Sequence, residues 1–200
     1  MIKGRALARR LRSVRDDEQA VSAVEMGLIF FPLMMFMVGT FDMGHLYYGQ
    51  AVLNGAVAEA GRLSSLEAYN SDQTALNNMI KDRVKAVNPS ATLQFDRKSY
   101  NNFSDIGTPE KFTDGNSNAV CDNGEPFDDK NGNGTWDANG GAGQGGASDV
   151  VVLTVTMTFP RFFPLTAFIG GNKNATMVAK TTLRNQPFAS QRKPSQGACS

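Results

Sequence analysis

Sixteen consecutive residues between Glu25 and Asp42 carry no charged side chain. With residues 21–24 the largely apolar stretch reaches about twenty residues, the length that one helix needs to cross the hydrocarbon core of a bilayer. A secretory signal peptide has a shorter apolar core that ends at a small-residue cleavage site, whereas this stretch continues directly into a helical pattern. The stretch therefore predicts a single-pass membrane anchor.

The N-terminal arm, residues 1–20, is first basic and then acidic. Six cations precede three acidic side chains: Lys3, Arg5, Arg9, Arg10, Arg12 and Arg15, then Asp16, Asp17 and Glu18. A cluster of cations beside a membrane span stays in the cytoplasm, so the rest of the chain is expected on the other side. Because the arm holds +3 of a formal net charge of +1, the remainder carries −2. Nucleic acid is therefore not an expected partner.

Glu25 stands four residues inside the apolar stretch. An unpaired ionised group in lipid costs several kcal/mol, so an intramembrane carboxylate suggests a functional role with a cationic partner. The alternative is a glutamate at the head-group interface, with the span beginning at Met26. The residues alone leave both interpretations open.

Two blocks of the sequence resemble a known bacterial family. The first contains V-S-A-V-E-M-G-L-I-F-F-P from Val21 and F-D-M-G-H-L-Y-Y-G-Q-A-V-L-N-G-A-V-A-E-A-G-R from Phe41. The second ends in L-R-N-Q-P-F at residues 183–188. Over residues 16–66 and 149–188 the chain resembles the TadE-like prepseudopilins of the tight-adherence (Tad/Flp) pilus system.

The resemblance implies a processing site and an assembly residue. In that family a prepilin peptidase cuts on the cytoplasmic face so that Glu is the fifth mature residue. Carried onto this chain, Glu25 makes Val21 the first residue and places the cut after Ala20, where the family usually has Gly. The glutamate is thought to pair with the new N-terminal ammonium of a neighbouring subunit, and Glu25 takes that role here.

The function implied by the resemblance is that of a minor pilin-like subunit, a pseudopilin, that assembles or primes the pilus for adhesion and biofilm formation. Its expected partners are other pilins and pseudopilins, the prepilin peptidase and the inner membrane. No enzymatic activity and no small-molecule substrate are expected. The implied fold is α+β and pilin-like, a long N-terminal transmembrane helix packed on a small antiparallel sheet.

Beyond Asp42 a narrow stripe of apolar and small residues continues at alternating spacings of three and four: Leu46, Gly49, Leu53, Ala56, Ala60 and Leu63. This spacing predicts one helix over residues 21–66, half membrane span and half spine of an outer domain. A second helix is expected over residues 72–87, with Ser71 or Asp72 as its cap. Alternating patterns predict strands at residues 92–95, 149–159 and 175–183.

Four segments follow from these patterns. Residues 1–20 are expected to form a cytoplasmic leader-like arm, and residues 21–66 the transmembrane helix and spine. Residues 67–188 would form an extracytoplasmic domain, and residues 189–200 a flexible tail. Within the domain, residues 97–148 are so rich in Asn, Asp and Gly that they predict an inserted segment with its own local organiser.

A calcium-loop pattern, D-x-N-x-N-G-x-x-D, lies in that segment. Its oxygen donors at alternate positions are Asp129, Asn131, Asn133, the Thr135 carbonyl and Asp137. The bidentate Glu expected at the twelfth position is Gly140, for which Asp128 or Glu125 could substitute. Trp136 is expected to anchor the loop. A metal-free Asn/Gly turn is the alternative.

The remaining reactive residues point away from catalysis. His45 is the one histidine, just past the span, so a Ser/His/Asp or Cys/His site would depend on it alone. Cys121 and Cys199 are expected outside the cytoplasm, where a disulfide between them is allowed and free thiols are the alternative.

The alternative to a pilus subunit is a permanently anchored surface binding module with a calcium-stabilised loop. A membrane-tethered hydrolase would need a catalytic constellation that the sequence does not offer.

Overall fold

The computed structural model describes residues 18–64, 73–163, 170–186 and 193–200. Residues 1–17 of the predicted arm, the predicted caps Ser71 and Asp72, and part of the segment after Phe163 lie outside the described residues.

Helix α1 spans Glu18–Ser64, 47 residues, which corresponds to about 70 Å at 1.5 Å per residue. It continues through Pro32 and across the predicted cleavage point between Ala20 and Val21. Every side chain over residues 21–37 is exposed. Within the described part of the chain, α1 is the one helix long and apolar enough to cross a membrane, and its most apolar window has a mean hydropathy of 2.0. The helix supports membrane association.

After α1, the described residues form one further α-helix and six strands. Helix α2 spans Gln73–Val87. The strands are β1 Thr92–Tyr100, β2 Pro126–Asp129, β3 Gly141–Ala142, β4 Val150–Pro160, β5 Asn174–Arg184 and β6 Ser195–Ala198. One antiparallel sheet has the order β3-β1-β4-β5, and β2 pairs with β6 in a second. The prediction of an α+β fold with a long N-terminal helix and an antiparallel sheet is confirmed.

The core lies between the two helices and one face of the larger sheet. The predicted stripe of α1 is buried or partly buried: Leu46, Gly49, Leu53, Ala56, Ala60 and Leu63. From α2 the side chains of Leu76, Ile80 and Val84 enter the same core. The alternation of β4 places Val155 and Met157 inward at 0% exposure, as the period of two requires.

Two glycines bring α1 close to its neighbours. A Cβ on Gly61 would lie 2.9 Å from Oγ1 of Thr181 in β5, and one on Gly49 would lie 3.2 Å from Nδ2 of Asn88. Gly44 and Gly55 meet nothing within 4 Å. Of these four glycines of α1, two therefore lie where a neighbouring side chain approaches the helix closely.

Two boundaries expected from composition are wrong. Strand β1 continues to Tyr100, four residues into the predicted insertion, because Arg97 and its neighbours pair with β4. The Arg97 guanidinium is partly buried, donates to Oδ1 of Asn77 at 2.6 Å, and has its pKa lowered by that burial.

The predicted flexible tail contains a strand instead. Residues 195–198 pair with β2, and the ring of Phe127 covers Gly197 so closely that no Cβ would fit there. Cys199 is joined to Cys121 by a disulfide with the Cα atoms 5.7 Å apart. The end of the chain is thus fixed by pairing and by a covalent bond.

Candidate functional site: two Asx-rich loops at the end of the sheet

The loops lie at the end of the sheet away from the exposed half of α1. At the near end, Arg161 follows β4 and forms an ion pair with Asp42, Nη1 to Oδ2 at 2.9 Å. At the far end, Tyr100 of β1 pairs with Val150 of β4. Residues 101–148 leave and re-enter the sheet there, so they are carried at the distal end, together with strand β6.

The predicted calcium loop, loop B (residues 129–137), folds around Asp129. This side chain is 1% exposed. Its Oδ1 accepts from the backbone N–H of Asn133 at 3.1 Å and its Oδ2 from that of Gly134 at 2.7 Å. Hydrogen bonds from main chain to carboxylate satisfy donors that a tight loop cannot pair with its own carbonyls.

The other side chains of loop B converge on Asp137. Its Oδ2 accepts from Nδ2 of Asn131 and from Nδ2 of Asn133, each at 2.7 Å. The Oδ1 atoms of the two asparagines accept backbone hydrogen bonds, the Asn133 oxygen from Thr135 at 2.8 Å. The side chains of Asn131, Asn133 and Asp137 are therefore brought together, and the Nδ2 atoms of both asparagines bond to the Asp137 carboxylate.

A second copy of this arrangement, not predicted from the sequence, precedes the first. In loop A (residues 114–125), Asp114 accepts from the backbone N–H groups of four residues, and Oδ2 of Asp122 accepts from Nδ2 of Asn116 and Asn118 at 2.7 Å each. The signal was present: D-x-N-x-N-x-x-x-D occurs at residue 114 and again fifteen residues later.

The two loops share a backbone conformation. The fourth and sixth positions have positive φ in both, 63° at Ser117 and 62° at Ala119 in loop A, 66° at Gly132 and 79° at Gly134 in loop B. Non-glycine residues adopt this left-handed conformation at a cost of about 1–2 kcal/mol. Loop A keeps it with Ser and Ala because the hydrogen bonds to Asp114 hold the backbone.

Each loop is closed by a glutamate. In loop A, Glu125 accepts from the backbone N–H of Gly115 at 2.7 Å and of Asp122 at 3.0 Å. In loop B, Glu110 accepts from the corresponding N–H groups of Lys130 at 2.8 Å and Asp137 at 3.0 Å.

Glu110 is thus the glutamate that contacts loop B, whose sequence has Gly140 where a calcium loop has its twelfth-position Glu. Of the two substitutes suggested for that position, Glu125 contacts loop A and Asp128 is exposed in this metal-free structure. Gly140 has φ +70°, and a Cβ there would collide with the ring of Tyr100. A glutamate therefore cannot occupy the twelfth position of loop B.

The carboxylates of the two loops differ in electrostatic environment. Glu110 is 6% exposed, and burial raises the pKa of its carboxyl, with the N–H groups of Asp137 and Lys130 opposing and the charges of Asp137 and Asp129 adding to the rise. The N–H of Ala119 lowers the pKa of the partly exposed Asp114; burial opposes this fall and three further N–H donors add to it. The surroundings of Asp114 in loop A thus favour its ionised form, whereas burial beside loop B disfavours the ionised form of Glu110.

The described residues contain no group of three or more His, Cys, Asp or Glu side chains arranged to hold a metal ion. In both loops the amide nitrogens of two asparagines face the ninth-position aspartate, where a calcium loop would present oxygens. A half-turn of each amide exchanges nitrogen for oxygen at that point. Calcium at Asp129, Asn131, Asn133, Thr135 and Asp137 stays a prediction.

The loops are braced by the second sheet and by aromatic contacts. Strand β2 follows loop A directly, and the disulfide ties Cys121 of loop A to Cys199 after β6. Trp136 of loop B donates from Nε1 to the Glu110 carbonyl at 2.8 Å, and its ring meets Phe112 edge-on. The predicted anchoring role of Trp136 agrees with these contacts.

The other predicted residues lie on α1, far along the chain from the loops. Ala20, Val21 and Glu25 belong to its N-terminal turns, and Val21 and Glu25 are exposed. His45 packs edge-on against the rings of Phe159 and Phe162. Such edge-to-face contacts are typical of a side chain with a packing role.

The comparisons with known proteins concern the helix alone. A family model described as TadE-like protein matches residues 20–62. Searches of curated proteins and of solved structures gave no match. The matched residues contain the exposed apolar half of α1 and most of the buried stripe.

Proposed function

Since residues 20–62 match the family model described as TadE-like protein, we propose that this chain is a pseudopilin subunit that assembles or primes a tight-adherence pilus and acts in adhesion and biofilm formation. The TadE-like family is structural and belongs to the pilus machinery, so the chain acts by packing. Its proposed partners are other pilins and pseudopilins, the prepilin peptidase and the inner membrane.

One observation carries the proposal: a single helix is exposed and largely apolar over residues 21–37 and is buried in the domain core at Leu53 and Ala60. An apolar face of that size is stable only in lipid or against other apolar helices. A pilus subunit uses both environments, first the membrane and then the bundle of neighbouring helices.

In this proposal the peptidase cuts after Ala20, and the ammonium created at Val21 is neutralised by Glu25 of a neighbouring subunit. The carboxylate finds its cation only in the assembled bundle, where low dielectric strengthens the pairing. Pairing of one carboxylate with one terminus also fixes the stagger between adjacent helices.

The intact mass of the membrane-extracted protein, from cells with and without the prepilin peptidase, tests the proposal. A chain that begins at Val21 only when the peptidase is present is expected. Glu25→Gln should still be inserted but should be incorporated into pili at a small fraction of the wild-type level. A full-length chain in both strains, or normal incorporation of Glu25→Gln, would contradict the proposal.

We also propose that calcium binds the distal loops and stabilises the surface that the subunit exposes. The support is the repeat: two loops with the same spacing, the same left-handed positions and one glutamate each. Isothermal titration of the full chain in detergent should give heat with calcium and a higher melting temperature. No heat at millimolar calcium, together with an unchanged melting temperature, would retire the idea.

The same loops favour a second candidate function, a permanently anchored surface binding module whose recognition surface is organised by loops A and B. It predicts that no cut occurs after Ala20 and that α1 has no partner helices. The mass measurement above separates the two functions, because only the pilus subunit loses its N-terminal arm.

A further inference from the structure

Two phenylalanines are exposed directly after strand β4. Phe162 is 69% exposed and Phe163 is 46% exposed. Aromatic side chains gain most from leaving water, about 25 cal/mol for each Å² of apolar area removed. Two adjacent exposed rings at the end of a strand therefore favour an apolar or interfacial environment.

The pair lies beside α1 where the uncharged stretch ends. The ring of Phe162 meets that of His45 edge-on with centroids 4.6 Å apart. The preceding Arg161 holds Asp42, the first charged residue after the stretch, through the 2.9 Å ion pair. These contacts place the Phe162 ring within about one helical turn of the end of the uncharged stretch, and Phe163 is the next residue in the chain.

The level of these contacts relative to a bilayer follows from the helix. A span that begins near Val21 covers a hydrocarbon core of about 30 Å by residue 41, at 1.5 Å per residue. The head-group region then adds roughly 5–8 Å, about the next four or five residues. Asp42 and His45 lie in that interval, and so does the ring of Phe162, which contacts His45.

The helix surface at this level has the composition of a membrane interface. Phe41, Tyr47 and Tyr48 are 72%, 70% and 58% exposed. Together with Thr40, Gly44 and His45, two of them line an open apolar groove. Aromatic residues concentrate at the boundary between lipid and water because their rings suit the head-group level.

The charges at this level also allow close approach to lipid. Asp42 is 8% exposed, and its charge is compensated by Arg161 instead of facing the head groups. Lys173, whose carbonyl accepts a hydrogen bond from the backbone N–H of Arg161, has an exposed side chain. A compensated carboxylate and an exposed cation suit a surface that meets lipid phosphates.

We propose that Phe162 and Phe163 insert into the head-group region of the leaflet from which α1 emerges, so that the domain has a second contact with the bilayer. The proposal rests on the membrane anchor contained in the proposed function. The domain then stands on the membrane at two points, the helix and this aromatic turn, instead of turning freely on one stalk.

Quenching of tryptophan fluorescence by brominated lipid tests the proposal. The full chain is reconstituted into phosphatidylcholine vesicles with and without chains brominated near the glycerol end. Phe162→Trp and, separately, Phe163→Trp supply the probe, and the native Trp136 in loop B is the common background. Two matched variants replace other exposed phenylalanines: Phe36→Trp within the span and Phe103→Trp in the distal region, 75% and 57% exposed in the native protein.

We expect the emission added by Trp at position 162 or 163 to fall at least two-fold in brominated vesicles, and that added at position 103 to be unchanged. Quenching at position 36 with none at 162 and 163 would overturn the proposal and leave the membrane anchor standing. No quenching at position 36 would overturn both the anchor and the proposal. A blue shift at 162 without quenching would assign the rings to a neighbouring protein and would also overturn it.

Discussion

Glu110 and Glu125 make equivalent hydrogen bonds to two different loops, each accepting from the second and ninth backbone N–H of its loop. Glu125 belongs to the loop it closes, whereas Glu110 precedes loop A and closes loop B. The two loops are therefore linked, since the segment that leads into loop A also carries Glu110, the glutamate that closes loop B.

Because Glu110 and not Glu125 contacts loop B, Glu110 should set the calcium affinity of that loop. Trp136 is the one tryptophan of the chain and lies in loop B, so its emission reports calcium at that loop. Glu110→Gln should weaken the calcium response of Trp136 at least ten-fold, about 1.4 kcal/mol, because a bidentate carboxylate is the strongest chelator of such a loop. The matched Glu125→Gln should leave the Trp136 midpoint within two-fold. Equal midpoints for both variants would contradict this role of Glu110.

The calcium-free loops should respond to acid in opposite directions. The lowered pKa of Asp114 means that its contribution to stability is present above its ordinary value of 3.8 and is lost as pH falls through the lowered pKa. The raised pKa of Glu110 reverses the sign: its contribution is present below the ordinary value of 4.5 and is lost as pH rises through the raised pKa. Loop A should therefore open first on acidification.

Amide chemical shifts between pH 7 and pH 2.5 would measure this difference. The Ala119 amide should titrate with a midpoint below 3.8, and Asp114→Asn should abolish that titration while leaving the Trp136 emission unchanged. An Ala119 amide that does not titrate in the native chain would contradict the assignment of its partner.

The ion pair between Asp42 and Arg161 should be a strong structural contact. Their side chains are 10% and 24% exposed, whereas the pair of Arg83 with Glu59 is 52% and 32% exposed. Removing one partner of a largely buried pair costs about 3–5 kcal/mol, and an exposed pair contributes about 1 kcal/mol or less.

Denaturant unfolding in detergent would measure both pairs. Asp42→Asn should lower the free energy of unfolding several-fold more than Glu59→Gln does. The double variant Asp42→Leu with Arg161→Met should be more stable than Asp42→Asn, because it leaves no uncompensated buried charge. Equal losses at both sites would show that the near-membrane pair is effectively solvated.

The helix glycines supply a prediction about packing. Gly61→Ala should destabilise the protein by about 1–3 kcal/mol, because the new methyl meets the γ atoms of Thr181 at 2.9–3.0 Å. Thr181→Ala should relieve that loss in the double variant. Gly55→Ala faces open space and should stabilise by about 0.5–1 kcal/mol. Thermal melts of the native chain, the two single glycine variants and the double variant would measure these changes. Destabilisation by both glycine substitutions would contradict the explanation by packing against Thr181.

The disulfide should stabilise the distal region. Cys121 and Cys199 are 78 residues apart, and a cross-link over a loop of that length contributes about 2–4 kcal/mol, chiefly by restricting the unfolded chain. The free energy of unfolding should fall by that amount in reductant. The variant with both cysteines replaced by serine should start at the lower value and be insensitive to reductant.

The helices and long strands were predictable because their information is local. The stripe from Leu46 to Leu63 and the alternation of β4 can be read within a window of a few residues, and burial in the structure follows both. Strand β1 extends to Tyr100, into the segment whose Asn, Asp and Gly content had predicted an insertion, because β4 supplies a partner for every residue of that strand.

The distal site was harder to predict because its partners are distant in sequence. Glu110 accepts hydrogen bonds from N–H groups 20 and 27 residues away. No local pattern in the sequence predicts a contact over that separation. Strand β6 reads Ser-Gln-Gly-Ala and has no hydrophobic pattern of its own. Loop A, in contrast, repeats the spacing of loop B, so its position is predictable from the sequence as an internal repeat.

Because α1 runs unbroken from Glu18 to Ser64, the direction in which loops A and B face around the membrane normal depends on its rotation. Each helical residue turns the chain by about 100°. Inserting one residue between Glu25 and Leu46 would therefore swing the distal loops by roughly that angle relative to whatever holds the N-terminal half. The orientation of the exposed surface is encoded in the number of residues in the helix, as well as in the loops that form that surface.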